Sequence, residues 1–193
     1  MPKSLNNPIP NLEAYFTKVR EALDSIELNE IQNVFSILEK VRTNRQTLYI
    51  AGNGGSASTS QHFSVDLGVG GIDRNSIIRS ISLSDNQSAI TAIANDRNYR
   101  EVFSAQLKVL GDEGDVLLVI SASGNSVNLI EAVLTAKSLG MTTIGLLGFN
   151  GGELRLLCDY SILVETDLGE YGIVEDIHLS ICHNLTEVLR FTR

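Results

Sequence analysis

Thr47-Leu-Tyr-Ile-Ala-Gly-Asn-Gly-Gly-Ser-Ala57 decides the fold class, and Val116-Leu-Leu-Val-Ile-Ser-Ala-Ser-Gly-Asn-Ser126 repeats its grammar. Each stretch is a β-prone aliphatic run that breaks into glycine and serine and then opens a helical pattern. Glycine lets the backbone approach a ligand closely, and the amides and hydroxyls at a helix N-terminus donate hydrogen bonds to an anion. One such loop is a weak signal. Two at successive strand ends, the second with three serines in six residues, point to a phosphate-carrying small molecule.

Outward from these loops, strand and helix patterns alternate. Strands are predicted near 46–51, 77–83, 115–121, 142–147 and 160–164, and helices near 55–68, 86–94, 98–109, 126–139, 151–157 and 173–190. The unbroken apolar run 116–120 is typical of a parallel strand covered on both faces. This order predicts an α/β, doubly wound three-layer sandwich on a five-stranded parallel sheet, with ligands at the carboxyl ends of the strands. Two amphipathic helices precede it. The first spans 11–25, and the second starts at Asn29, whose side chain is expected to cap it with Gln32 in the box position. We therefore divide the chain into N-terminal helices over 1–45, free to cover the sheet or meet other copies, and a ligand-binding domain over 46–193.

The 193 residues suffice for one domain with a substantial core. A net charge of −8 argues against a nucleic-acid surface, which needs a basic face. The opening ten residues lack an apolar signal-peptide core, and no apolar run approaches the roughly 20 residues that span a bilayer. Cys158 and Cys182, each inside an apolar pattern, read as reduced core residues of a cytoplasmic protein.

Some positions carry chemistry. Gly52 to Ala57 also fits a loose dinucleotide fingerprint, but that site wants an acidic residue about 20 positions later at the end of the next strand, and the nearest candidate there, Asp85, comes too late. His62 and Asp66 share one helix face at i, i+4. They suit acid–base work, a metal, or mere helix stabilisation. His178 and His183 follow Glu175 and Asp176 on the last helix, where His183 could equally be a hydrogen-bonded core residue. Asn95 and Asp96 read as turn and cap residues or as ligands for sugar hydroxyls.

These blocks, in this order, resemble the sugar isomerase (SIS) family and within it the phosphoheptose isomerases. The likeness runs through GNGGSASTSQHFSVDL, AIANDRNYREVFSAQL, GDVLLVISASGNS, GMTTIGLLGFNGGEL and VEDIHLSICH. It implies the SIS fold, with Ser121, Ala122, Ser123 and Ser126 holding a sugar phosphate. Asn53, Gly54, Gly55, Ser56, Asn95, Asp96 and Glu175 would contact the substrate. It also implies a metal site, usually zinc, at His62, Asp66, Glu175 and His183, and no organic cofactor. Two positions depart from the family pattern: Asp66 stands where the family has glutamate, and Glu175 where it has glutamine. Eight helical residues separate Glu175 from His183 by roughly 12 Å. One ion can therefore join both only if the helix starts after Glu175 or if two subunits contribute.

The implied reaction is interconversion of sedoheptulose 7-phosphate and D-glycero-D-manno-heptose 7-phosphate. Asp66 or Glu175 would be the base and His183 the acid. The implied assembly is a homotetramer with sites between subunits, without nucleic-acid or membrane partners. The alternative is a non-catalytic SIS protein that binds a phosphosugar or a replication initiator. His62, the carboxylate at 66 and His183 favour the enzyme, because proton transfer needs such groups. A third reading is an isomerase with a shifted substrate preference.

Overall fold

The computed structural model describes residues 11–74 and 76–191. The expectations resting on residues 1–10, including the start of the 1–45 division, lie outside the described residues. Helices α1 (Leu12–Asp24) and α2 (Leu28–Asn44) lead into β1 (Thr47–Gly52), α3 (Gly55–Leu67), a 3-10 turn (Val69–Arg74) and β2 (Arg79–Ser82). Then come α4 (Gln87–Asp96), a 3-10 turn (Tyr99–Glu101), α5 (Ser104–Leu110), β3 (Val116–Ser121) and α6 (Val127–Ser138). The chain ends in β4 (Thr142–Gly148), α7 (Leu154–Leu157), β5 (Tyr160–Val164) and α8 (Tyr171–Phe191).

All neighbours in the sheet run parallel, in the order β2-β1-β3-β4-β5. In register, Ile50 lies opposite Ser82 on one side and Leu118 on the other. Alternation along each strand splits the core in two. Leu48, Ile50, Val116, Leu118, Ile144 and Ile162 face a layer made by α1, α2, α3 and α8, contributed through Val34, Leu38, Phe63, Ile177 and Leu185. Tyr49, Ala51, Leu117, Val119, Leu147 and Leu163 face the opposite layer, with Val102, Leu107, Leu129 and Val133. Both faces of the sheet are thus dry, which explains the unbroken apolar runs. The doubly wound sandwich is as the sequence predicts.

The details depart from expectation at element ends. The second helix begins one residue earlier than Asn29, at Leu28, with Glu27 as a cap whose side chain makes no capping bond. Asn29 falls inside the first turn and cannot cap. Glu30, also in that turn, instead accepts a hydrogen bond from the Leu163 amide of edge strand β5 at 2.9 Å. The predicted 98–109 helix divides into a 3-10 turn and α5, and the predicted 77–83 strand shortens to four residues at the opposite sheet edge. Cys182 is buried and Cys158 half-buried, both as free thiols, and burial pushes the Cys158 thiol up to about 12. Among the described residues no helix is long and apolar enough to cross a membrane.

His178 on α8 is fully buried, with neither ring nitrogen in hydrogen-bonding geometry with a partner. Burial pushes its imidazole down to about 4, offset only in part by the Leu147 backbone. The native state therefore keeps this ring neutral, whereas the unfolded chain protonates it near 6.5. Below that pH the unfolded state binds the extra proton, so stability falls with pH until the native pKa is passed. The full loss is on the order of 3 kcal/mol at 1.36 kcal/mol per unit. Urea midpoints at pH 7 and pH 4.5 should diverge for the native protein, and His178→Leu should flatten that acid limb. An unchanged pH dependence in His178→Leu would contradict the assignment.

Candidate active site

The strand order reverses between β1 and β3, and both glycine-serine loops leave the sheet at that point. Ligands of open α/β sheets bind in such a crevice. A cavity of about 300 Å³ opens there, lined by Asn53, Gly54, Gly55, Ser56, Ser121, Ala122, Ser123 and Ser126, with Ile120, Leu129, Tyr171 and Glu175. Two helices of twelve or more residues, α3 and α6, point their N-termini into it. Their unpaired amides and aligned peptide dipoles favour a bound anion.

The second loop is held by its own hydrogen bonds. The Gly124 amide donates to Ser121 Oγ at 3.1 Å, and the Asn125 amide donates to Ser123 Oγ at 3.3 Å. Asn125 Nδ2 donates to the Ser123 carbonyl at 2.8 Å, and the Glu153 amide donates to Asn125 Oδ1 at 3.0 Å. Gly124 has φ +64°, and an added Cβ would overlap the Gly151 carbonyl. Ser126 caps α6 without a side-chain capping bond, so its hydroxyl is left for another acceptor.

Glu175 enters the cavity from α8. Its carboxylate lies so close to Gly55 that any Cβ there would collide with it. Next to it, Tyr15 of α1 donates its hydroxyl to Asp176 at 2.6 Å, and that hydrogen bond pushes the phenol up to about 12. Tyr171 packs edge-on against Phe149, with ring centroids 5.0 Å apart.

A second cluster forms where α3 crosses α8. His62 Nε2 lies 3.5 Å from Asp66 Oδ2, His183 Nε2 lies 3.9 Å from the same oxygen, and the two Nε2 atoms are 3.5 Å apart. These three donors lie within 4.8 Å of one another. Both imidazoles are exposed. Two imidazoles and one carboxylate are the donor types of a three-ligand zinc site that keeps an open position.

Glu175 does not join them. Helix α8 begins at Tyr171, before Glu175, so the helical rise carries Glu175 about 12 Å from His183. Within one chain the donors that come together are His62, Asp66 and His183, and Glu175 could join them only from another subunit. Asn95 and Asp96 do not line the cavity of their own chain either. They close the last turn of α4, exposed, with Asn95 Nδ2 donating to Asp96 Oδ1 at 2.8 Å.

Sequence reasoning missed two residues that the fold brings to Asn53. Tyr99 donates its hydroxyl to Asn53 Oδ1 at 2.9 Å, and the buried Asn128 pairs with the Asn53 amide. Asn128 stands two residues past the serine loop, one clue that was available.

The cluster begins two turns along α3 from the cradle, with His62 about 10 Å from Gly55 along the axis. Gly55 and Asp66 are separated by about 16 Å along its axis. A seven-carbon chain with its phosphate ester reaches only about 10 Å.

A family model described as SIS domain matches residues 14–148. A phosphoheptose isomerase of Helicobacter pylori strain P12 is 38% identical over 177 residues, covering 91% of this chain and 90% of that protein. Among solved structures, the phosphoheptose isomerase of Neisseria gonorrhoeae superposes with a TM-score of 0.81 at 29% identity, over 92% of this chain and 93% of that one. A phosphoheptose isomerase from Francisella tularensis gives 0.81 at 28% identity, over 92% of each chain.

Proposed function

The chain belongs to the SIS-domain family, in its phosphoheptose isomerase branch, and on that premise we propose that it interconverts sedoheptulose 7-phosphate and D-glycero-D-manno-heptose 7-phosphate. The observation that carries this reading is the donor-rich cavity at the β1/β3 reversal, with an acid–base trio where α3, the helix that leaves it, crosses α8.

Phosphate binding by Ser121, Ser123, Ser126 and the α3 and α6 amides anchors the sugar. That remote binding energy is available for positioning the reacting carbons. Asp66 removes the C1 proton of the ketose while His183 protonates the C2 carbonyl oxygen, giving an enediol. Return of a proton to C2 and loss of the O1 proton then completes the aldose. A positioned acid or base contributes about 10²–10⁴-fold.

In this reading the cradle of one chain works with the trio of another, which the rise of about 16 Å along α3 from Gly55 to Asp66 supports. We place the site between subunits of a cytoplasmic homotetramer, with Glu175 on the cradle side and Asn95 and Asp96 reaching a neighbouring subunit. Val65, next to Asp66 in sequence, and Val69 are exposed apolar surface that a second copy would cover. His62, Asp66 and His183 also suit zinc, which when bound would supply Lewis-acid polarisation of the carbonyl oxygen in place of the His183 proton.

Incubation with sedoheptulose 7-phosphate, with and without a chelator, tests this directly. The expected result is heptose 7-phosphate from the untreated protein, loss on chelation, and return with added zinc. Full activity after chelation would remove the zinc assignment. Phosphosugar binding without turnover would overturn the isomerase reading in favour of a binding protein.

A further inference from the structure

Asn53 sits in the loop between β1 and α3, lining the cavity. Its carboxamide has two acceptor lone pairs on Oδ1 and two hydrogens on Nδ2. Oδ1 accepts from Tyr99 Oη at 2.9 Å and from Asn128 Nδ2 at 2.9 Å, so both lone pairs are spent. Nδ2 donates to Asn128 Oδ1 at 3.0 Å, which uses one hydrogen. What remains is one N–H.

We infer that Tyr99 and Asn128 are positioning residues that fix the Asn53 carboxamide as a hydrogen-bond donor toward substrate oxygen. The inference rests on the phosphosugar reading and deepens it, because it names what selects oxygen acceptors at this wall of the cavity. The rest of the wall already offers donors, namely the Ser56, Ser121, Ser123 and Ser126 hydroxyls and the α3 amides. The reversed amide would spend both Asn53 hydrogens on Tyr99 and Asn128 and turn a lone pair toward the substrate. A phosphate oxygen or a sugar carbonyl would then meet a like partial charge.

Asn128 is buried, so its half of the pair is held by packing, whereas Tyr99 is 57% exposed and acts through its hydroxyl. The network bridges the two loops: Asn53 follows β1, Asn128 follows β3, and Tyr99 follows α4.

Tyr99→Phe removes only the hydroxyl. It is read through kcat and KM for sedoheptulose 7-phosphate, the inhibition constant of inorganic phosphate, and the thermal midpoint. One lost neutral hydrogen bond corresponds to a weakening of about 3–10-fold. KM and the phosphate constant should rise together by that factor, with kcat within twofold and only a small fall in the thermal midpoint. Asn53→Asp, which replaces the donor by an acceptor, should weaken both by more than a hundredfold, on the order expected for a charged mismatch.

If Tyr99→Phe keeps the native KM and phosphate constant, the inference is overturned. The same holds if only its thermal midpoint falls, since that is a structural role. Native protein that neither turns over the sugar phosphate nor binds phosphate overturns the inference together with the reading beneath it. Native protein that does both, with an unaffected Tyr99→Phe, overturns the inference alone.

Discussion

Asp66→Asn and His183→Ala should each lower the turnover of sedoheptulose 7-phosphate by at least 10²-fold and up to about 10⁴-fold, with the fold intact. Asparagine keeps the size of Asp66 and removes its basicity. Alanine at 183 removes the proposed acid, whose Nε2 lies 3.9 Å from Asp66 Oδ2. Neither change empties a core, because His183 is exposed and Asp66 half-buried, so urea midpoints should move little. Affinity for inorganic phosphate should also persist, since the cradle lies at the other end of α3. Normal turnover by both variants would refute the catalytic assignment. The separation of the two clusters adds a second readout. Inactive Asp66→Asn chains, co-refolded with chains whose cradle is disabled, should recover part of the activity if each site draws on two subunits, and none if each site belongs to one chain.

Gly124→Ala should be the most damaging single-methyl change in the cradle. The residue sits at φ +64°, where a Cβ costs roughly 1–2 kcal/mol. The new methyl would also overlap the Gly151 carbonyl, which is backbone and cannot rotate away. Overpacking of that kind adds about 1–3 kcal/mol. The strain can be relieved only by moving the loop. Movement would break the Gly124 amide bond to Ser121 Oγ and the bond from the Leu154 amide to the Gly124 carbonyl at 3.0 Å. The expected outcome is a loss of about 2–5 kcal/mol in stability, together with loss of measurable phosphate affinity. Denaturant midpoints and phosphate titration check the two effects separately. A variant with native stability and native phosphate binding would contradict the tight loop geometry.

Much of this architecture was legible in the chain because its signals are local. Val116 to Ile120 is apolar at every position, which reports burial on both faces, and the following serine loop reports what waits at the strand end. The two loops also happen to flank the reversal of strand order, so their sequence similarity matches a shared cavity. The helix face joining His62 to Asp66 was readable from spacing alone, whereas the arrival of His183 depends on how α8 crosses α3, a packing result. Tyr99 was invisible for the same reason: 46 residues separate it from Asn53, and only the course of the chain after α4 brings its hydroxyl over the loop. The second helix start was misplaced because Asn29 has cap chemistry, while the helix starts one residue earlier, at Leu28, without a side-chain cap. Glu175 was placed with the metal ligands by family likeness. The uninterrupted α8 turns it instead toward Gly55 and the phosphate end of its own chain.

The central claim is that a carboxylate and an imidazole move a proton along a phosphate-anchored sugar through an enediol. Proton magnetic resonance of sedoheptulose 7-phosphate incubated with the protein in deuterium oxide follows that proton itself. The account predicts heptose 7-phosphate carrying deuterium at C2, with both product and label absent for Asp66→Asn. Native turnover by Asp66→Asn, or no conversion by the native protein in the presence of zinc, would contradict it.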